Sequence, residues 1–459
     1  MRCSAAPEPA TMKMGSTTVR NMLSKARLKG EPGQCTFPAQ RPTSLYEYTN
    51  PQAAVRPGHP GGWPGHAACY KLWAVNIQPY TIHVTDDVLD DLRERLGRTR
   101  WPDTVDGAGW DYGANLDYIR ELAEYWRTGF DWRAQEARLN SLPNYRAEVG
   151  GMGIHFIHVR GNGPHPLPIV LTHGWPSTFL EELEILPLLT DPAAHGGDAA
   201  DAFDVVIPSL PGYGFSDRPS QKGTNPKRTA ALWTELMQGL GYSRFVAHGG
   251  DWGAAVTTQL GLAHTDHVSG IHLSSATVVA PYLGEGSAPL SPAEEALVEH
   301  RDRWQAIEQG YSHEQRTKPL TLAYGLSDSP VGMLAWIVEK FWKWSDNKGD
   351  VEARFTKDEL LTNATIYWAT ETIASSVRFY KESAADPVRF GPGERVEVPT
   401  GFAVFPGDSS QPPREWAERS YNVQRYTLMP SGGHFGAWEE PELLANELRE
   451  FFRPLAGMD

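Results

Sequence analysis

Short apolar runs alternate along the chain with segments whose apolar positions recur at the spacing of a helix. Residues 154–159 alternate apolar and polar side chains, which is typical of a strand. Four further runs are mainly apolar, as expected for strands buried in a parallel sheet: Pro168–Thr172, Phe203–Pro208, Phe245–His248 and Gly401–Phe405. Helical patterns around 228–240 and 439–453 separate several of these runs. The alternation predicts an α/β fold with a mostly parallel, doubly wound sheet.

Two segments interrupt this alternation. Residues 281–384 are helical in pattern and rich in Trp and Tyr, which predicts an inserted helical cap. Ahead of the strands, Val84–Leu92 and 116–130 show helical spacing, which predicts an N-terminal helical arm. The expected organisation is a leader at 1–75, the arm at 76–150, the first part of the α/β core at 151–280, the cap at 281–384 and the second part of the core at 385–459.

The leader differs from the remainder of the chain in composition. Residues 1–75 carry nine Lys or Arg and three acids, a net charge of +6 in a 459-residue chain whose net charge is −14. The leader is also rich in Pro and Gly, and we expect it to be disordered. Residues 12–30 are basic, bear Ser and Thr and lack acids, which is typical of an organellar targeting segment. An over-extended start of the chain is a third interpretation.

Composition argues against several classes of function. An acidic chain is unsuited to nucleic acid, because neutralising phosphates requires a basic surface. No run of about 18 uncharged apolar residues is present to form a membrane-spanning helix. The three cysteines, Cys3, Cys35 and Cys69, fit neither a zinc site nor a disulfide framework, since they are widely spaced and odd in number. We predict a soluble, cytoplasmic protein without metal or cofactor. The sequence leaves open whether the protein forms a homodimer.

The first candidate motif is Gly249-Gly250-Asp251-Trp252-Gly253, which follows a predicted strand and precedes a helical segment. This is the frame of a nucleophile elbow, with Asp where a serine hydrolase has Ser. Side chains at Gly249 and Gly253 are expected to collide with the neighbouring strand and helix. The helix N-terminus is expected to keep the Asp251 carboxylate ionised, so that it can attack carbon and form an ester. A simple strand-to-helix turn capped by Asp is the alternative.

A second motif, His173-Gly174-Trp175-Pro176, also follows a predicted strand. It lies where this class of fold places its oxyanion loop. The backbone N–H groups of Trp175 and Trp252 are expected to face the oxygen that becomes negative as an ester is hydrolysed. We interpret His173 as a buried residue that shapes the loop together with Gly174 and Pro176.

Two further residues complete a catalytic series. Asp408 follows the predicted strand that ends at Phe405, and His434 lies on a Gly-rich turn before the last helix. The order Asp251, Asp408, His434 is the order of nucleophile, acid and base in α/β-hydrolases. In such an arrangement His434 deprotonates water and Asp408 orients the imidazole. Each residue alone is an ordinary loop residue, and the order of all three favours catalysis.

With these motifs the sequence resembles the microsomal-type epoxide hydrolases, a family that includes juvenile hormone epoxide hydrolases and bacterial relatives. The resemblance runs from about residue 77 to the C-terminus. Its motifs are Thr99–Pro102, His173–Pro176, Gly249–Gly253, Gly310–Gln315 with Thr317–Pro319, Leu326–Gly332, Ser375–Glu382 and Gly432–Phe435 with Glu439–Pro441. The resemblance implies an α/β-hydrolase fold and the hydrolysis of an epoxide to a vicinal diol.

The resemblance also implies a role for each matched residue. Asp251 matches the nucleophile, and His434 matches the base that activates water. Tyr311 and Tyr380 match two cap tyrosines that hydrogen-bond the epoxide oxygen. A phenol with a pKa near 10 stays protonated at neutral pH and can donate as the ring opens. Asp408 matches the acid, at a position where mammalian microsomal members have Glu.

Several other residues receive ordinary structural interpretations. Glu439 and Glu440 are second choices for the acid, but first-turn acids of a helix explain them better. We interpret the following as core, surface or strand positions: Tyr282, Tyr324, Tyr367, His155 and His158. Four tryptophans are candidates for lining a pocket, although core packing explains most such residues: Trp336, Trp342, Trp344 and Trp368.

The sequence therefore predicts an enzyme that opens a small hydrophobic epoxide through an ester on Asp251. A haloalkane dehalogenase is the nearest alternative, because Trp252 stands where that class holds halide. Against it, Trp175 replaces the halide-binding Asn that dehalogenases have in the oxyanion loop. A serine esterase is a weaker alternative, since position 251 is not Ser. A hydrolase-fold binding protein without catalytic activity is the remaining hypothesis.

Overall fold

A computed structural model of the protein describes residues 75–274 and 279–456. Almost the whole predicted leader lies outside these ranges, together with all three cysteines. The predictions of disorder, of a targeting segment and of an over-extended start therefore concern residues that the structure does not describe.

Nine strands in the described ranges form one sheet. They are β1 (Ile77–Pro79), β2 (Asn144–Val149), β3 (Met152–Val159), β4 (Leu167–Thr172), β5 (Phe203–Pro208), β6 (Phe245–Gly249), β7 (Val268–Leu273), β8 (Val396–Val404) and β9 (Tyr421–Leu428). Their order across the sheet is β1-β2-β3-β5-β4-β6-β7-β8-β9.

The sheet is parallel from β5 through β9 and antiparallel at the edge that β1, β2 and β3 form. Every residue of β5 and β6 is buried, as expected for strands covered by helices on both faces. The mostly parallel α/β architecture predicted from the apolar runs is confirmed. β7 and β9 were not predicted, and they extend the parallel part of the sheet.

Fifteen α-helices accompany the sheet in the described ranges. They are α1 (Asp86–Gly97), α2 (Leu116–Thr128), α3 (Trp132–Asn140), α4 (Leu186–Thr190), α5 (Pro226–Gly239), α6 (Asp251–Ala263), α7 (Pro292–Glu308), α8 (Gly310–Thr317), α9 (Pro319–Asp328), α10 (Pro330–Trp344), α11 (Lys357–Ala369), α12 (Ile373–Ala385), α13 (Arg414–Glu418), α14 (Gly436–Glu439) and α15 (Pro441–Phe452). None of them combines the length and the apolar character that crossing a lipid bilayer requires.

Six of these helices, α7 to α12, follow one another between β7 and β8. They occupy the segment predicted as an inserted cap. Two of them begin with a capping box: Ser291 with Glu294 at α7, and Thr356 with Glu359 at α11. Each box satisfies backbone N–H groups that the first turn leaves without partners. The division of the chain into arm, core and cap stays a prediction.

The direction of the parallel strands determines where the predicted site residues can come together. β4, β6 and β8 all end at the same edge of the sheet, because parallel strands point in one direction. The loops that follow them carry the two turn motifs and Asp408. Loops at the carboxyl edge of such a sheet are the usual place for a ligand site. The sheet therefore brings together motifs that are far apart in sequence.

Candidate active site

Asp251 lies at a sharp turn between β6 and α6. It is the first residue of α6, and its φ of 45° lies in the left-handed region that non-glycine residues seldom adopt. Such a conformation costs free energy and persists only where the surrounding structure imposes it. The turn presents the Asp251 side chain to a cavity, where 20% of the side-chain surface stays exposed. A small molecule in the cavity can therefore contact this carboxylate.

The glycines of the turn permit close packing. A Cβ at Gly253 would lie 1.8 Å from the carbonyl oxygen of Thr172, and one at Gly249 would lie 2.4 Å from the Gly253 carbonyl carbon. A Cβ at Gly174 would lie 2.4 Å from the Cβ of Asp251. At Gly250 the nearest atom would be a side-chain hydroxyl, at 2.7 Å. The collisions expected at Gly249 and Gly253 are therefore present in the structure.

The backbone N–H of Trp175 donates to Oδ1 of Asp251 at 2.9 Å. Burial raises the pKa of Asp251, while His434 and the N–H groups of Trp175 and Trp252 lower it. Burial is the strongest of these influences, and the net result is a raised pKa. Desolvation therefore opposes the expected effect of the helix N-terminus on the ionisation of Asp251. Both proposed oxyanion N–H groups do interact with this carboxylate.

His173 is fully buried beneath the oxyanion loop. Its Nε2 accepts the N–H of Leu210 at 3.1 Å, so Nδ1 carries the proton and donates to the carbonyl of Gly174 at 3.0 Å. Burial lowers the pKa of His173 to about 4, which keeps the ring neutral. On the other side of the loop, Asn363 of α11 donates to the carbonyl of Pro176 at 2.9 Å. These contacts agree with a loop-shaping role for His173.

His434 lies between two carboxylates. Its Nδ1 is 2.9 Å from Oδ1 of Asp408, and its Nε2 is 3.7 Å from Oδ2 of Asp251. Burial alone would lower the pKa of His434, but the charges of Asp408, Asp251 and Glu181 outweigh it and raise the pKa to about 9. The backbone N–H of His434 donates to the carbonyl of Trp344 at the end of α10, at 2.9 Å. The position of the imidazole thus depends on α10.

The two alternative acids have other partners. Glu439 accepts the backbone N–H groups of Asp346, at 2.8 Å, and of Phe435, at 3.1 Å. Glu440 pairs with Arg354 at 2.9 Å. Neither carboxylate hydrogen-bonds His434 in the described part of the chain, whereas Asp408 does.

Tyr311 of α8 and Tyr380 of α12 are neighbours and line the same cavity as Asp251. Their ring centroids are 6.0 Å apart, and the rings are nearly perpendicular. Trp175 stacks on Tyr311 at 5.4 Å, and Trp252 packs edge-on against Tyr380 at 4.7 Å. Burial raises the pKa of both phenols, and the negative charge of Asp251 raises each further. Both phenols are therefore held in the protonated form.

The hydroxyl of Tyr380 makes no well-formed hydrogen bond to any described residue, although Tyr311 is close enough to influence its pKa. A buried hydroxyl without a partner is costly unless a ligand or water satisfies it. The other tyrosines differ. Tyr367 donates to the carbonyl of Ser177 at 2.8 Å, and Tyr324 is 74% exposed. Both agree with their structural interpretation.

A single cavity of about 290 Å³ contains the predicted chemistry. The predicted residues that line it are Asp251, Trp252, Tyr311, Trp344, Tyr380, Asp408 and His434. Of the four candidate pocket tryptophans, Trp344 lines this cavity. Trp336 instead hydrogen-bonds Gln315, Trp342 stacks on Trp110, and Trp368 borders a different cavity. Those three side chains do not line the cavity at Asp251.

Sequence reasoning missed Glu181, which lies beneath the oxyanion loop. Its carboxyl makes a short hydrogen bond with the hydroxyl of Ser177, which is also 3.1 Å from the carbonyl oxygen of Gly174. Burial raises the pKa of Glu181 to about 7. The sequence gives little signal, because Glu181 is one of three acids in the stretch after Pro176, with Glu182 and Glu184.

Sequence reasoning also missed the outer lining of the cavity. Arg301, Trp304, Gln305 and Gln309 come from α7 and its end, and Ser312 and Arg316 come from α8. Positions 301, 304 and 305 share one helix face, as do 312 and 316. This spacing was readable in the sequence, but nothing local indicated that these faces turn towards the cavity.

Comparison with known proteins places this geometry in context. A family described as epoxide hydrolase N terminus matches residues 77–182, and one described as alpha/beta hydrolase fold matches residues 168–297. A protein of Stigmatella aurantiaca with the provisional name epoxide hydrolase is 48% identical, over 83% of this chain and 85% of its own. Epoxide hydrolase 1 of Oryctolagus cuniculus is 38% identical, over 85% of this chain and 92% of its own. The solved structure of Aspergillus niger epoxide hydrolase is 30% identical with a TM-score of 0.72, and the match covers 83% of this chain and 97% of that one.

Proposed function

The chain belongs to the epoxide hydrolase family, and we propose that it hydrolyses an epoxide in two steps through an ester on Asp251. One observation carries this proposal. A single cavity is lined by a carboxylate on a nucleophile turn, by two phenols opposite it and by an imidazole held by Asp408. This set supplies a nucleophile, a proton donor to the leaving oxygen and a base for water.

In the first step, an oxygen of Asp251 attacks one carbon of the three-membered ring. A C–O bond to the carboxylate forms as the ring C–O bond breaks. The ring oxygen takes a proton from Tyr311 or Tyr380, so that a hydroxyalkyl ester and a phenolate result. The raised pKa of both phenols supports their role as donors, because each is protonated before attack. The phenolate then regains a proton from the imidazolium of His434 by way of water in the cavity.

Esterification also prepares the second step. The negative charge of Asp251 is one of the influences that raise the pKa of His434 to about 9. The ester carries no charge, so the pKa of His434 falls once the ester has formed. The imidazole, neutral after it has given up its proton, is then able to deprotonate water, while Asp408 stabilises the imidazolium that returns.

The hydroxide adds to the ester carbonyl carbon, and the backbone N–H groups of Trp175 and Trp252 stabilise the oxyanion. The intermediate collapses with cleavage of the bond between this carbon and the oxygen that Asp251 gave to the ester, which leaves with the substrate. The proton of the added hydroxyl passes to the departing oxygen, so that a vicinal diol and the Asp251 carboxylate are released. His434 ends the cycle as it began, protonated, and one water has been consumed.

The alternatives have less support. A halide leaves without a proton donor, whereas two protonated phenols, Tyr311 and Tyr380, line the cavity that contains Asp251. A non-catalytic binding protein has no use for a complete set of nucleophile, acid and base around one cavity. The substrate we propose is a small epoxide with an apolar body, because Trp252 and Trp344 flank Asp251 in the cavity. A homodimer and a cytoplasmic location stay proposals from the sequence.

The test is a single turnover in water enriched in heavy oxygen, with enzyme in excess over an aryl epoxide. We expect the label in the peptide that contains Asp251 and not in the first diol, since water attacks the ester carbonyl. His434→Gln is expected to accumulate the ester, detected as added mass on the same peptide. His313→Gln changes an exposed histidine of α8 and serves as the matched control. Label in the first diol would contradict the ester mechanism.

A further inference from the structure

Two arginines line the catalytic cavity without any part in the reaction described above. Arg301 lies on the cavity-facing side of α7, and Arg316 lies on α8, the helix that carries Tyr311. Ser312 lies one turn before Arg316 and lines the same cavity. Both guanidinium groups therefore border the space in which the epoxide is opened.

Neither arginine forms an ion pair in the part of the chain that the structure describes, although the charge of Asp302 acts on Arg301, and Arg316 is exposed to solvent. No ion pair or hydrogen bond joins Arg301 or Arg316 to a described residue, whereas Arg303 on the same helix is 3.8 Å from Glu299. Arg301 is half-buried, and its one close partner is the ring of Trp416, with the centroid 5.8 Å away. Burial lowers the pKa of Arg301, and the nearby charge of Asp302 only partly offsets this loss of solvation.

The other groups at this end of the cavity are polar but uncharged. They include Gln305, Gln309 and Ser409. The two carboxylates of the cavity are Asp251 and Asp408, and both face His434. A partly desolvated guanidinium is stabilised by an anion that it can bind through two parallel hydrogen bonds. No described carboxylate forms such a pair with Arg301, and the cavity that it lines has room for a ligand that carries one.

We propose that the preferred substrate is an epoxide that also bears a carboxylate, which Arg301 and Arg316 bind while the ring faces Asp251. This inference rests on the proposed function and refines its substrate. Arg316 also acts electrostatically on Tyr311, so the anion site and the proton donor are close neighbours. In a cavity of about 290 Å³ this proximity favours a compact epoxy acid in which an apolar body separates the two groups.

The experiment compares 4-(oxiran-2-yl)benzoate with its neutral counterpart, 4-(oxiran-2-yl)benzamide, by kcat/KM at low ionic strength. We expect the carboxylate to be preferred about tenfold, since hydrogen bonds to charged groups contribute about 1.5–3 kcal/mol. In the double variant Arg301→Gln and Arg316→Gln the ratio should fall to about one. Arg303→Gln, which changes a 68% exposed arginine on another face of α7, should keep the wild-type ratio.

The outcomes distinguish the carboxylate site from the proposed epoxide hydrolysis on which it rests. Hydrolysis of neither epoxide by the wild type contradicts the proposed function itself. Hydrolysis of the benzamide without a preference for the benzoate overturns only the carboxylate site, as does a preference that survives in the double variant. If the double variant is inactive, the two single variants test the carboxylate site instead. Each single variant is expected to lose about a third to a half of the preference for the benzoate, on a logarithmic scale.

Discussion

At the scale of single residues, the two phenols are the proposed proton donors to the ring oxygen. A phenol that is buried and close to Asp251 resists ionisation, and this keeps Tyr311 and Tyr380 protonated until the ring oxygen develops charge. Two donors share one oxygen, so each can retain part of the function when the other is removed. The loss of both removes the two hydroxyl groups that the proposed step uses to protonate the ring oxygen.

We expect Tyr311→Phe and Tyr380→Phe each to slow ester formation by about 10²-fold, and the double variant to slow it by more, since proton donation typically contributes 10²–10⁴-fold. The measurement is the rate at which ester mass appears on Asp251 in a rapid-quench experiment with excess enzyme. Tyr324→Phe alters a solvent-exposed tyrosine of α9 and should leave the rate unchanged. Ester formation at the wild-type rate in the double variant would show that neither phenol donates the proton.

At the scale of elements, the nucleophile turn depends on how closely α6 approaches β4. The Cα of Gly253 lies against the Thr172 carbonyl at the end of β4, where no side chain fits. This contact positions the helix N-terminus and both oxyanion N–H groups relative to Asp251. The close packing of α6 on the sheet is therefore a condition for the catalytic geometry.

Gly253→Ala is expected to lower the free energy of unfolding by about 3 kcal/mol or more, because its new methyl group meets backbone that cannot move aside. Gly325→Ala is the opposite case. Gly325 lies within α9, and a Cβ there would contact nothing within 4 Å. The alanine should stabilise the protein by about 0.5–1 kcal/mol, since alanine favours helix over glycine. Urea unfolding of both variants checks the contrast, and equal effects would contradict it.

At the scale of the whole molecule, buried histidines should contribute most to the stability near neutral pH. Burial lowers the pKa of His155 to about 3, and of His158 and His173 to about 4. These rings stabilise the fold fully above their ordinary pKa of 6.5, and that contribution is lost as the pH falls. The contribution of His434 to the stability changes with pH in the opposite direction. Its pKa is raised to about 9, so its contribution is complete below 6.5 and is lost as the pH rises through 9.

The contribution of these histidines to the free energy of unfolding should therefore decline on both sides of about pH 6.5–7, whereas buried carboxyls with a raised pKa, such as Glu181, act in the opposite direction on the acid side. On the alkaline side, the advantage of the wild type over His434→Gln should shrink by about 3 kcal/mol between pH 6 and pH 10, since each pKa unit corresponds to about 1.4 kcal/mol. The variant His313→Gln, which changes an exposed histidine, is the matched control. Urea unfolding at intervals from pH 4.5 to pH 10 provides the measurement, and a growing wild-type advantage above pH 7 would contradict the assigned sign.

Much of the architecture could be predicted because its signal is local. The strands β5 and β6 are fully buried, so their apolar runs identify them directly. β7 and β9 escaped prediction because they contain Gly, His, Asn, Gln and Arg, and only their neighbours in the sheet make them strands. The family resemblance stated from the motifs is confirmed by relatives that share up to 48% identity with the chain.

The candidate site also combines residues that the sequence identified and residues that only the tertiary structure brought together. Asp251, Asp408 and His434 follow strand ends, and their order along the chain singled them out, although each alone is an ordinary loop residue. The two phenols are 69 positions apart, and only a family resemblance paired them before the structure did. Local sequence thus determined the nucleophile turn, because a strained turn restricts which residues can form it. The tertiary structure alone decided which side chains contact each other, how their pKa values shift and which arginines line the cavity. Desolvation and charge interactions depend on the distances between side chains, and these residues are far apart in the sequence.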